Sequence, residues 1–154
     1  AMYFSEVVRR ASIHLASMSE GRYYLEPEDG QASGRGRVGL GLRVLDSWTG
    51  QSRPTATLSG GEKFLTAISL ALGLADSIRE RRGGISLDAV FIDEGFGSLD
   101  EEALDRAINV LDRIRGARAI GIVSHVAGLE SRIPRRIQVE KTALGSRLEV
   151  LGQP

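Results

Sequence analysis

The chain has 154 residues, a length that suits one domain with a single hydrophobic core. Its 20 basic and 20 acidic side chains cancel, so bulk charge gives no electrostatic reason to expect nucleic-acid binding. The sequence contains no cysteine, which excludes disulfides and thiolate metal sites. No apolar run reaches membrane-spanning length and the N-terminus has no signal-peptide layout, so we expect a cytoplasmic protein without a membrane partner.

The chain opens with a predicted helix that leads into a short strand. Apolar residues recur at helical spacing from Tyr3 to Met18, and Ser19-Glu20-Gly21 interrupts the pattern. The segment from Arg22 to Glu26 then predicts a strand that ends at Pro27. We expect His14, on the first helix, to be structural or simply exposed.

A glycine-rich stretch from Glu28 to Gly41 follows, and its composition is typical of a loop. The segment from Leu40 to Leu45 predicts a second strand, and the segment from Asp46 to Gly50 predicts a turn.

The second half of the chain predicts an α/β arrangement. Periodicity and apolar runs predict a helix over 60–82, a strand over 87–93, a helix over 101–115, a strand over 119–123 and a hairpin over 136–151 that turns around Gly145-Ser146. A strand, a helix and a strand in succession form a βαβ unit, whose two strands are parallel. Because both strand segments are almost wholly apolar, we expect each strand to be covered on both faces.

The first motif with chemical meaning stands at the start of the long helix. Ser59 and Glu62 have the spacing of a capping box, in which each side chain bonds the backbone amide of the other residue. Gly60 and Gly61 need another reason, because each glycine costs about 1 kcal/mol against alanine inside a helix. Bare amides at a helix N-terminus favour an anion such as phosphate. On the residues alone, a cap and a phosphate site both stay open.

A pair of carboxylates, Asp93 and Glu94, follows the apolar run Ala89-Val90-Phe91-Ile92. Parallel strands end at the sheet edge where α/β proteins bind ligands, and neighbours on a strand point to opposite sides. One carboxylate can then serve Mg²⁺ while the next acts on water, which is the logic of a Walker B strand. The alternative is a strand that ends in acidic residues at the surface.

Two weaker signals follow the carboxylates. Ser98 and Glu101 have capping-box spacing at the start of the next helix, and Asp100 suits its first turn. His125 comes directly after the second apolar strand, so parallel pairing would bring it to the same edge as the two carboxylates. Taken singly, the first signal is a helix start, and a lone histidine is usually structural.

In order and spacing these motifs resemble the ABC ATPase family. The matches are Leu58-Ser59-Gly60-Gly61-Glu62 with its signature motif, Asp93-Glu94 with its Walker B pair, Ser98-Leu99-Asp100 with its D-loop, and His125 with its switch histidine. Within that family, the run from Asp93 to Asp100 and the segment from Met18 to Leu25 are similar to the SbcC branch, the ATPases of DNA-repair nuclease complexes.

The resemblance implies a P-loop NTPase-like α/β fold, with parallel strands flanked by helices and a terminal hairpin. Residues 1–18 would be the root of a returning coiled-coil helix, and residues 19–154 the C-terminal lobe of an ATPase head.

The resemblance also implies roles for the motif residues. Glu94 would be the general base that polarises the attacking water, His125 would contact the γ-phosphate, and Asp93 would help to hold Mg²⁺. The residues implied to contact ATP held by a second head, or to lie along the seam with that head, are Ser59, Gly60, Gly61, Glu62, Ser98 and Asp100.

One element of the family pattern is missing from the sequence. A Walker A loop needs Gly-x-x-x-x-Gly-Lys-Ser/Thr, but the two lysines, Lys63 and Lys141, each follow a glutamate. In the SbcC branch that loop belongs to an N-terminal lobe, beyond a long coiled coil. We therefore expect the binding of ATP and Mg²⁺ to require that lobe, and the chain alone to be inactive. Without the lobe, the chain should expose an apolar patch or self-associate.

The intact protein implied by the resemblance would dimerise head to head around ATP and partner an SbcD-type nuclease. It would act on DNA ends or hairpins through the whole complex, in the bacterial cytoplasm at the nucleoid. Two alternatives stay open, an SMC- or RecN-like chromosome ATPase head and a non-enzymatic ABC-like dimerisation module. Glu94 and His125 argue against the second alternative, and Gly95-Phe96-Gly97 argues against a transporter ATPase.

Overall fold

The computed structural model describes residues 2–28, 41–81, 89–115, 119–133 and 135–152. These ranges contain three α-helices and seven strands: α1 (Met2–Met18), β1 (Tyr23–Pro27), β2 (Leu42–Asp46), β3 (Gln51–Pro54), α2 (Gly60–Arg81), β4 (Ala89–Asp93), α3 (Glu101–Arg115), β5 (Ala119–Val123), β6 (Arg136–Thr142) and β7 (Gly145–Leu151). The predicted helices and the α/β class are confirmed. Strand β3 was not predicted, and most of the predicted glycine-rich loop lies outside the described residues.

The described strands form three small sheets. Strands β1, β2 and β3 are antiparallel in that order, β4 pairs with β5 in parallel, and β6 and β7 form a hairpin. The hairpin turns at Ala143-Leu144 and not at Gly145-Ser146 as predicted, since Thr142 already pairs with Gly145. A two-residue connection is the commonest way to close a hairpin, so the glycine falls at the start of β7.

The core lies where α1 packs against α2, α3 and β1. Its buried side chains come from all these elements and from β2: Val8, Leu15, Met18, Leu25, Val44, Leu65, Leu72, Leu104 and Leu111. A polar contact also joins α1 to α2, since His14 Nε2 lies 2.8 Å from Asp76 Oδ2. This contact supports a structural role for His14. No helix within the described ranges is long and apolar enough to span a bilayer.

The parallel pair β4–β5 has one covered face and one open face. Ile92 pairs with Ile122, and both side chains pack against the core. On the other face Phe91 pairs with Gly121, and the Phe91 side chain is 78% exposed. The expectation that both faces are covered is therefore wrong for the described part of the chain, because the described elements supply packing on one side only.

We expect Leu15→Ala to lower the free energy of unfolding by about 3 kcal/mol, because the substitution leaves a cavity in the core beneath α1. Urea unfolding of the chain, followed by circular dichroism, measures this change.

Ile13→Ala is the matched control, because Ile13 lies on the same helix with 60% of its surface exposed. Its effect should stay within about 0.5 kcal/mol. Equal losses in the two variants would contradict the assignment of Leu15 to the core.

Candidate functional site

The start of α2 is closed by a reciprocal cap. Glu62 N–H donates to Ser59 Oγ at 3.3 Å, and Ser59 N–H donates to Glu62 Oε2 at 2.8 Å. The predicted capping box is therefore confirmed. It fixes the backbone that carries Gly60 and Gly61, and it leaves these two glycines at the very N-terminus of a 22-residue helix.

The turn that follows β4 packs directly on the first turns of α2. Glu94 and Gly95 both have positive φ, +60° and +99°, so the extended conformation of the strand ends there in two left-handed residues. A Cβ on Gly95 would collide with the ring of Phe64. Phe64 in turn packs edge-on against the fully buried Phe96, with ring centroids 4.7 Å apart. The close approach of turn and helix therefore depends on glycine at position 95.

Gly61 makes a second close approach between the same two segments. A Cβ at this position would lie 2.9 Å from the carbonyl oxygen of Ser98 and 3.2 Å from Leu99. The predicted signature and D-loop residues therefore lie side by side. Ser59, Gly61, Ser98 and Asp100 also line one common groove of about 380 Å³.

The cap of α3 is Asp100 and not Ser98. Asp100 Oδ1 accepts the Ala103 N–H at 2.7 Å, whereas Ser98 Oγ donates to the Gly95 carbonyl at 2.8 Å. The capping box predicted for Ser98 and Glu101 is therefore wrong. Residues Phe96–Ser98 form a separate 3-10 turn, which uses the serine hydroxyl internally, and α3 begins after this turn at Glu101.

Glu94 and His125 meet at the end of the parallel strands. The Glu94 N–H donates to the Val123 carbonyl at 2.8 Å, which extends the β4–β5 ladder by one residue. His125 Nδ1 lies 2.9 Å from one Glu94 carboxylate oxygen and 3.2 Å from the other. Because an ionised carboxylate only accepts, Nδ1 carries the proton of this hydrogen bond. Both side chains are exposed, and the predicted meeting of histidine and carboxylate at this edge is confirmed.

Asp93 is the last residue of β4, where it pairs with Val123 and its side chain is exposed. Among the described residues, no group of three His, Asp or Glu side chains could hold a metal ion. This part of the chain therefore offers Mg²⁺ single carboxylates and no complete cage. This donor set fits Mg²⁺ bound with a phosphate substrate, because that ion usually takes one or two carboxylates and completes its shell with water and phosphate oxygens.

Tyr23 and Arg53 are two residues of the site that the sequence did not reveal. The Tyr23 hydroxyl donates to Glu62 Oε1 at 2.6 Å, and Arg53 Nη2 lies 3.2 Å from the same oxygen. Burial and the bonded Glu62 carboxylate raise the pKa of Tyr23 to about 12. Burial raises the pKa of the Glu62 carboxyl, but the bonds from Tyr23 and Ser59 and the charge of Arg53 outweigh it and hold that pKa below its ordinary value. Tyr23 is 39 residues from Glu62, so no local pattern links them.

Comparison with known proteins agrees with the family resemblance. A family model described as SbcC/RAD50-like, Walker B motif, matches residues 35–113. The chain is 57% identical over 147 residues to the SbcC subunit of nuclease SbcCD from Treponema pallidum (strain Nichols), covering 95% of this chain and 14% of that protein. It is 50% identical over 147 residues to the protein of the same name from Vibrio cholerae serotype O1, with the same shares covered. The chain thus spans about a seventh of the length of these relatives.

Solved structures show the same fold in ATPase heads. A chain from work on ATP-driven dimerization and DNA-stimulated activation of SMC ATPases superposes with a TM-score of 0.73 at 17% identity, covering 97% of this chain and 86% of that chain. The Smc head domain with a coiled coil and joint from Pyrococcus yayanosii gives 0.70 at 19% identity, covering 95% of this chain and 26% of that chain.

We expect Gly61→Ala to lower the free energy of unfolding by about 1–3 kcal/mol relative to Gly60→Ala. A methyl group at 61 would press on the Ser98 carbonyl, which is backbone and cannot turn away, whereas one at 60 would meet Ser98 Cβ at an ordinary 3.5 Å. Urea unfolding of the two variants measures the difference. Equal stability would contradict the close approach.

We expect the stability that Glu62 contributes to depend on pH. Because the folded-state pKa of Glu62 is lowered, its contribution is fully present above the ordinary value of 4.5 and is lost as the pH falls through the folded pKa. The difference in urea midpoint between wild type and Glu62→Gln should therefore shrink below pH 4.5.

Glu149→Gln, on the exposed terminal hairpin, is the control for removing one carboxylate. Its midpoint should follow the wild type. A Glu62→Gln difference that stays constant from pH 7 to pH 3 would contradict the lowered pKa.

Proposed function

The chain belongs to the SbcC/RAD50-like Walker B family, and on that premise we propose that it forms the C-terminal lobe of an ABC-type ATPase head. Residues 1–18 would be the root of a coiled-coil helix, and residues 19–154 the lobe itself. The observation that carries the proposal is the hydrogen bond between Glu94 and His125, 2.9 Å long, at the carboxyl end of the only parallel strand pair in the described residues.

Glu94 is proposed as the general base for ATP hydrolysis. Its carboxylate is exposed at the sheet edge where substrates of α/β proteins bind, and the His125 Nδ1–H fixes its direction. With Nδ1–H committed to Glu94, a proton on Nε2 would let the histidine donate to the γ-phosphate. The pair would thus orient the attacking water and stabilise the charge that develops on the phosphoryl group.

Asp93 is proposed as a carboxylate ligand of Mg²⁺, either direct or through water. The ion would neutralise charge on the β- and γ-phosphates of ATP. Asp93 has the exposure and the position next to Glu94 that this role requires.

The signature and D-loop residues are proposed to face a second head. Gly60 and Gly61 would present backbone amides, and Ser59 its hydroxyl, to ATP bound there, with Glu62 in support. Ser98 and Asp100 would lie along the seam between the heads. The contact between Gly61 and Ser98 supports this assignment, because it makes the two segments one continuous surface.

A missing N-terminal lobe is proposed to supply the Walker A loop and to cover the open face of β4–β5. Phe91 and Val123 leave on that face the apolar surface that such a lobe would bury. The lone chain would then neither bind ATP tightly nor hydrolyse it. The intact protein is proposed to be a bacterial cytoplasmic ATPase at the nucleoid, which works with an SbcD-type nuclease on DNA ends or hairpins.

We expect hydrolysis to appear only when this chain is combined with the N-terminal lobe of the same protein, and Glu94→Gln to lower kcat at least about 100-fold. The variant should still form ATP-dependent dimers, because glutamine retains the shape of the residue but cannot accept the proton of water. Release of phosphate and size-exclusion chromatography with ATP measure the two properties.

Each lobe alone is one control and should not hydrolyse ATP. The second control is Glu149→Gln combined with the N-terminal lobe, which should hydrolyse ATP like the wild-type combination. Hydrolysis by this chain unaided would refute the need for an N-terminal Walker A lobe. Lobes that associate and bind ATP without hydrolysis would favour a non-enzymatic dimerisation module.

A further inference from the structure

The Glu62 carboxylate is fully engaged by groups of its own chain. Oε1 accepts from the Tyr23 hydroxyl at 2.6 Å and from Arg53 at 3.2 Å, and Oε2 accepts the Ser59 N–H at 2.8 Å. Its side chain is only 22% exposed. A contact with phosphate would break these bonds and bring two anions together. Glu62 therefore acts on the loop that begins α2, and it reaches a nucleotide only through that loop.

Tyr23 is held firmly enough to serve as an anchor for this carboxylate. Its side chain is buried, and its backbone N–H donates to Ser19 Oγ at 3.0 Å, while that hydroxyl donates to the Leu15 carbonyl at 2.7 Å. The Arg22 guanidinium lies over the Tyr23 ring at 4.7 Å. The ring is thus held by its burial and by Arg22, and the hydrogen bonds from the Tyr23 backbone through Ser19 lead back to the last turn of α1.

Arg53 spans the segment that precedes the helix. One guanidinium nitrogen, Nη1, donates to the Thr57 carbonyl at 3.1 Å, and the other, Nη2, donates to Glu62. Thr57 and Glu62 lie on either side of the sequence from Leu58 to Gly61. The rigid guanidinium group of Arg53 therefore sets the distance between Thr57 and Glu62, the two residues that flank this loop.

We propose that Tyr23 and Arg53 are positioning residues for the signature motif, which act through Glu62 and tie the motif to the end of α1. The inference rests on the proposed function, in which Ser59, Gly60 and Gly61 engage ATP on a second head. Without the two donors, the Glu62 side chain would no longer hold the Ser59 amide in place. The loop would then sample other conformations, and docking of the second head would have to select the correct one.

The test uses the full-length protein with its N-terminal lobe, in the Glu94→Gln background that prevents hydrolysis. Tyr23→Phe removes one hydroxyl and keeps the ring, and it should weaken ATP-dependent head dimerisation about tenfold, as expected for the loss of a hydrogen bond to a charged group. Binding of ATP to single heads should be unchanged, because that site is proposed to combine the N-terminal lobe with Asp93, Glu94 and His125, and not with the signature motif of the same head. Analytical ultracentrifugation and fluorescent-nucleotide titration measure the two affinities.

Tyr24→Phe is the matched control, since Tyr24 is the next residue on β1 and its side chain is partly exposed. It should dimerise like the parent. Combining Tyr23→Phe with Glu62→Gln should weaken dimerisation no further than Glu62→Gln alone, because both changes remove the same connection.

Two results would overturn the positioning role. The first is a Tyr23→Phe head that dimerises as tightly as Tyr24→Phe. The second is a Tyr23→Phe head that loses ATP binding by single heads in the same proportion as dimerisation, which would indicate general damage to the fold. A parent Glu94→Gln head that binds ATP and does not dimerise would instead refute the proposed function itself, and the positioning role with it.

Discussion

The turn over residues 95–99 packs on the first turns of α2, and this packing joins the two halves of the candidate site into one body. Phe96 is fully buried against Phe64, so the turn is held by the core and not only by surface hydrogen bonds. Gly95 allows the positive φ and the approach to the ring, and Gly61 allows the backbone of the turn to touch the helix. A displacement of α2 would therefore carry the end of β4 with it.

Carboxylates of the same chemical type have different surroundings in this lobe. Asp93 and Glu94 stand exposed at the sheet edge, where a metal ion or a water molecule can reach them. Glu62 is largely covered and accepts from Tyr23, Arg53 and a backbone amide. Environment thus separates a structural acid from candidate catalytic acids, although each belongs to a motif that the sequence displays.

The uneven burial of β4 and β5 agrees with a lobe that completes itself against another part of a longer protein. One face of the pair packs on the core through Ile92 and Ile122, and the other presents Phe91 to solvent. The relatives are about seven times longer than this chain. An exposed aromatic ring in the middle of a parallel strand is costly unless another layer covers it, and this cost supports the proposal that an N-terminal lobe packs on the open face.

The sequence by itself determined the three helices, the parallel strand pair and the order of the motifs. Helix α3 begins and ends at the predicted residues, and α1 and α2 do so within one residue, because periodicity and capping act over a few positions. The sequence also predicted that Glu94 and His125 lie at one edge of the sheet, because residues that follow two neighbouring parallel strands come to the same edge. Only the tertiary structure decided that Asp100 and not Ser98 caps α3, and which face of β4 is open. It also decided that Tyr23 holds Glu62 from 39 residues away. Those outcomes depend on how α1, α2 and the β4 turn pack together, and residues distant in sequence set that packing.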